Sequence, residues 1–109
     1  MTSREAMLEI ARRLEEELAG HPLDNHRLRE IETIVRLLIP HLTRAVVGAL
    51  QRDGETPDLH AARAALQAAR DQLGWTARRP EADTTHYVQS RLLQTVRLAC
   101  RGLEVLHVT

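Results

Sequence analysis

Apolar residues recur three and four positions apart along nearly the whole chain, and no stretch alternates apolar and polar residues as a half-buried strand would. The pattern predicts an all-α, four-helix bundle. A first helix is expected over about 3–19, where Thr2 and Glu5 make a capping-box pair and Met7, Ile10, Ala11, Leu14 and Leu18 trace one stripe until Gly20 and Pro22. A second, over about 25–52, takes Asp24 or Asn25 as its cap and turns Leu28, Ile31, Ile34, Val35, Leu38, Leu42, Ala45 and Ala49 inward. Thr56 and Pro57 read as the N-cap and first turn of a third, whose Leu59, Ala62, Leu66, Ala69 and Leu73 lead to an expected stop at Gly74. Its six alanines allow close backbone approach. After a loop of about ten residues, Asp83 or Thr84 caps a fourth helix, with Val88, Leu92, Val96, Ala99, Leu103 and Leu106 inward almost to the C-terminus.

Pro40 falls inside the second helix, where proline costs roughly 3 kcal/mol, removes the hydrogen bond to the Arg36 carbonyl and bends the axis. Two separate helices are the weaker reading. Ile39 would then be an N-cap, a poor choice, and the stripe passes from Leu38 to Leu42 without a phase break. One continuous, kinked helix is expected.

At about 1.5 Å per residue this helix is about 42 Å long, against about 26 Å for the first, which can cover it only to about Pro40 if it folds back along it. Beyond that point Leu37, Ile39, Val47 and Leu50 lie off the main stripe, so the segment is apolar nearly all round and demands burial on every side. The fourth helix repeats the hint with Tyr87, Leu98 and Val105 opposite its core stripe. A second copy of the chain, a different protein or an apolar small molecule would supply the cover. A twofold homodimer is the simplest, because the surface has only to match itself, with Leu37, Ile39, Val47, Leu50, Leu98 and Val105 at the interface.

The 109 residues suit a single domain spanning 1–109, and with only Trp75 and Tyr87 as aromatics the core is Leu, Ile, Val and Ala. Fifteen Arg and no Lys balance fifteen acids, so the chain lacks the net positive field that favours nucleic acid or anionic membranes. Neither partner is expected. No apolar run approaches the roughly 20 residues of a membrane span, the N-terminus lacks a signal-peptide build, and the lone Cys100 cannot close an internal disulfide. These features read as cytoplasmic.

Six histidines invite a metal reading, but their spacings do not support one. Glu104 and His107 have the i, i+3 spacing of di-iron bundles without the further carboxylates, and Asp83 with His86 lies about 30 Å away along the helix. No metal and no cofactor is expected. His41, one residue past the proline, has the position and chemistry of an acid or base, set against the plainer role of bonding a carbonyl freed by Pro40. Tyr87 and Arg91, at i, i+4 spacing, suit clamping an anion or pairing across an interface; Trp75 suits a bundle lid or a stacking platform. The candidate ligand-binding set is Arg36, Pro40, His41, Arg44, Trp75, His86, Tyr87 and Arg91. Cys100 reads as core filler, and no nucleophile-elbow, phosphate-loop or zinc motif occurs.

Leu38, Ile39 and Pro40 in a long helix, Ala69, Arg70 and Leu73 in the next, and His86, Arg91, Leu92, Ala99 and Cys100 in the last resemble a family of small actinobacterial proteins labelled natural-product biosynthesis proteins. The resemblance covers roughly 27–106. It departs where the family favours an acid just after the proline and this chain has His41. The resemblance implies an accessory protein of secondary metabolism, binding an apolar small molecule or a partner protein beside Pro40. The alternative is a cofactor-free isomerase or cyclase of an apolar intermediate, with His41 as acid or base. Binding is favoured, because it needs only apolar surface whereas catalysis needs convergent polar groups.

Overall fold

A computed structural model describes the backbone of residues 3–78 and 85–108 and the side chains of residues 5–74 and 85–104. It contains α1 (Ser3–Ala19), α2 (Asn25–Asp53), α3 (Pro57–Arg78) and α4 (Thr85–Val108), with no strand among the described residues. The chain is an all-α four-helix bundle.

The helix ends follow local chemistry. Asp24 caps α2 by accepting from the Arg27 N–H at 2.8 Å, and Thr56 caps α3 by accepting from the Leu59 N–H at 3.2 Å. Gly54 closes α2 with φ 74°, where its N–H donates to the Leu50 carbonyl at 3.0 Å. Gly74 does not end α3, which runs on to Arg78. Among the described residues only Gly54 takes the positive φ of a left-handed glycine cap, and Gly74 lies inside the helix. The expected caps Thr2, Asp83 and Thr84 and the loop over 79–84 lie outside the described residues.

α2 is continuous through Pro40, and its 29 residues, about 43 Å at the ordinary rise, match the 45 Å long dimension of the molecule. It is also the one described helix long and apolar enough, by length and mean hydropathy, to cross a bilayer, although a third of that window is buried against the rest of the chain. The core helix of a soluble bundle has the same profile.

The packing order corrects one expectation. α1 runs along α4 and not along α2, while α4 also packs against α3 and α2, and α2 against α3. α4 attracts three neighbours because its buried positions, from Val88 and Leu92 through Thr95, Val96, Ala99 and Cys100 to Leu103, occupy nearly half of its circumference. Contact with one main neighbour leaves α1 a narrow seam of Leu8, Ala11, Leu14 and Leu18, and Ile10, expected inward, is 45% exposed. Ala62, Ala65 and Ala69 are buried on α3, and a Cβ added to Gly102 of α4 would stand 3.4 Å from Leu66, so the expected close approach of small residues is present.

The two-sided packing of α2 also corrects the placement of Ile39. Both Leu38 and Ile39 are buried, because α3 and α4 together cover a wide arc that includes Leu28, Ile31, Val35, Leu42, Val46 and Ala49. Ile39 is 2% exposed and belongs to the core of the single chain, so it is not available as an interface residue. Ile34 and Ala45, expected inward, sit half-buried at the margin of that arc.

Candidate functional site

Polar chemistry is distributed over three places. At the α1–α2 turn the Gln89 carboxamide reaches from α4, its Nε2 donating to the carbonyls of Leu18 at 2.8 Å and His21 at 3.0 Å, its Oε1 accepting from the Leu23 N–H at 2.8 Å. Arg27 forks onto Glu17 beside it, through Nε at 2.5 Å and Nη2 at 2.7 Å. The hydrogen bonds and charge of Arg27 hold the Glu17 carboxyl below the usual Glu range, and Glu17 raises Arg27 in return. A cavity of about 320 Å³ opens here, lined in part by His21, His86, Ser90 and Arg97. Its principal polar side chain, Gln89, is committed to holding the turn.

The second place is the flank of α4. Arg91 donates to Gln72 Oε1 of α3 at 2.8 Å and to the Tyr87 hydroxyl at 2.9 Å, and its guanidinium lies 5.3 Å from the centroid of the Tyr87 ring. Tyr87 and Arg91 therefore engage each other and α3, a structural pairing of the cation–aromatic kind.

The third is a groove between α2 and α3. One cavity of about 280 Å³ is lined by Ile39, Pro40, Thr43, Arg44 and Arg70. An adjoining cavity of about 140 Å³ is lined by Thr43, Val46, Val47, Arg63, Leu66, Gln67 and Arg70. Thr43 and Arg70 line both, so the two form one groove. The Thr43 hydroxyl donates back to the Ile39 carbonyl at 2.9 Å, which fixes that side chain against its own helix.

The structure therefore separates the residues expected to act together. Pro40 and Arg44 line the groove. Arg36 is turned aside to Glu32, a buried carboxylate one turn earlier, at 2.7 Å. His41 is exposed and is not among the groove's lining residues. His86 lines the turn cavity instead. Of the expected interface residues besides Ile39, Leu37 is 66% and Val47 43% exposed, Leu50 and Leu98 are half-buried against the core, and the side chains of Val105 and Trp75 lie outside the described residues.

Sequence reasoning does not single out Arg63, Gln67 or Arg70 as site residues. Arg63 and Arg70 lie seven residues apart and so share a face of α3, a signal that becomes legible only once α3 is known to flank α2 beside Pro40.

Cys100 is buried at the α1–α4 seam, where burial first and then the Glu15 carboxylate push its thiol up to about 12. Among the described residues no group of three His, Cys, Asp or Glu side chains is placed to hold a metal. No family model, curated protein or solved structure matches the chain.

Proposed function

We propose that this chain is a non-catalytic binding protein, an accessory of natural-product biosynthesis acting in the cytoplasm, which holds an apolar small molecule in the groove between α2 and α3. The pathway rests on the family resemblance over 27–106. The groove itself supports the binding role: Ile39, Pro40, Val46, Val47 and Leu66 supply apolar walls beside a few polar groups, at the lower end of the size range of ligand pockets. The isomerase or cyclase reading, with His41 as acid or base and Arg44 or Arg91 steadying charge, has less support. Exposed His41 is not among the residues lining the groove with Arg44, and Arg91 is bonded to Gln72 and Tyr87.

Thermal melting of the chain with decanol and with decanoate tests the reading. At least one probe is expected to raise the melting point, Thr43→Trp to abolish the shift by filling the space common to both cavities, and His41→Ala to leave it unchanged. No shift with either probe, or an undiminished shift in Thr43→Trp, counts against the groove.

A second reading, that two copies pair through the outer face of α2, is favoured by Leu37, the most exposed large apolar side chain described. Glu30 and Arg44 lie seven residues to either side of it on the same face. An antiparallel twofold pair centred on Leu37 would set Glu30 of each copy against Arg44 of the other.

A further inference from the structure

Six of the twelve arginines whose side chains are described face a partner on the chain itself. Arg12, Arg13, Arg27, Arg36 and Arg97 each stand within 4 Å of a glutamate, and Arg91 is held by Gln72 and Tyr87. Arg29, Arg52 and Arg101 are exposed at scattered positions without such a partner, whereas the remaining three gather at the groove. Among the described residues Arg44, Arg63 and Arg70 have no carboxylate partner, and no Asp or Glu lines either cavity. Asp71, the nearest acid in sequence, accepts from Gln67 at 3.2 Å.

Three guanidinium groups around one concavity repel one another, and in a chain with as many acids as bases such a grouping leaves a local positive potential. Apolar walls focus that potential into the groove. Guanidinium presents two parallel N–H donors matched to carboxylate or phosphate oxygens, which makes arginine the side chain suited to such a head group. The apolar lining of the groove comes from exposed Pro40 and Val47, backed by the buried core residues Ile39 and Leu66.

We infer that the groove binds an amphipathic anion, an aliphatic body on the Ile39, Pro40, Val47 and Leu66 surface with a carboxylate or phosphate head held by Arg44, Arg63 and Arg70. This inference rests on the groove-binding reading above and adds the charge of the ligand. Neither end suffices alone: an uncharged chain leaves the arginines unneutralised, and a bare anion leaves the apolar lining wet.

Calorimetric titration of the full chain with decanoate, decyl phosphate, decanol and inorganic phosphate, all below micelle-forming concentration, tests it. Decanoate or decyl phosphate is expected to bind about tenfold or more tightly than decanol, and whichever binds more tightly identifies the head group. Arg70→Ala and Arg63→Ala are each expected to weaken the anionic probe by about tenfold and to leave decanol unaffected, with Arg70→Lys intermediate. Both arginines are exposed, so the variants keep the fold. Decanol binding as tightly as the anions would overturn the inference and leave the groove reading standing. No binding by any aliphatic probe would overturn both. Inorganic phosphate binding as tightly as decyl phosphate would show a simple anion site and overturn the amphipathic form.

Discussion

Gln89 of α4 and Leu18 of α1 are joined by a 2.8 Å hydrogen bond from the carboxamide to the last turn's carbonyl, and the same carboxamide accepts from Leu23 beyond the turn. One side chain thus satisfies both a helix-end carbonyl and the backbone that follows it, and fixes α1 on α4 instead of α2. Gln89→Ala removes three hydrogen bonds at once. A loss of about 1–3 kcal/mol in unfolding free energy is expected by urea titration. Gln89→Glu is expected to lose a similar amount near neutral pH, because a carboxylate cannot donate to Leu18 or His21. A cost below a few tenths would show that the turn holds without it.

The Glu17 and Arg27 fork adds a pH dependence at the same corner. Glu17 titrates below the ordinary carboxylate value in the folded chain, so it binds fewer protons folded than unfolded near pH 4, and its stabilising effect is complete above that ordinary value. The effect fades as pH falls from about 5 through the lowered folded value. Because both side chains are about one-third exposed, water screens the pair, and its worth is about 0.5–1 kcal/mol. Arg27→Ala should therefore melt below wild type at pH 7, and the gap should narrow by pH 3. A constant gap would mean that Arg27 acts through packing alone.

Gly54 occupies a left-handed conformation with open space where a Cβ would lie. Substitution therefore incurs backbone strain without a clash. Gly54→Ala is expected to destabilise by about 1 kcal/mol, whereas Gly102→Ala, helical and 3.4 Å from Leu66, should cost less because a better helix former offsets the contact. Paired melting curves give the order, and the reverse order would refute it.

Cys100 is 5% exposed with its thiol pushed up to about 12, so almost no thiolate exists at pH 8 and the reagent has no path to it. Labelling of the native chain by a disulfide reagent is expected to proceed only through opening, with a rate that rises in step with urea and falls when the chain is stabilised. Rapid labelling of native protein would mean that the α1–α4 seam opens locally.

Helix number, a cap at Asp24 or Asn25, the cap at Thr56 and the run of α2 through Pro40 were legible in the sequence, because each depends on contacts within a few residues. What the sequence did not carry was which helices touch. Ile39 read as a second apolar face because a single stripe was assumed for α2, and covering by both α3 and α4 widened the buried arc to take it in. The same unknown hid the groove. Arg44 was visible beside Pro40, but its neighbours Arg63 and Arg70 come from a helix whose packing against α2 no local pattern specifies.

Leu37 gives the experiment that separates pairing of chains from ligand binding. On α2 it points away from the core, with Pro40 and Val47 on one side, and a standard interface of about 800 Å² per partner would have to recruit the charged flanks as well. If two copies pair there, light scattering at micromolar concentration should give about twice the 12.3 kDa chain mass, and Leu37→Glu should return it to a single chain while titration with decanoate is unaffected. Arg44→Ala should weaken both, since Arg44 faces Glu30 of the second copy in one reading and the anion in the other. Arg70→Ala should affect only the ligand. A single-chain mass for the wild type would remove the pairing and leave the groove as the sole use of this side of α2.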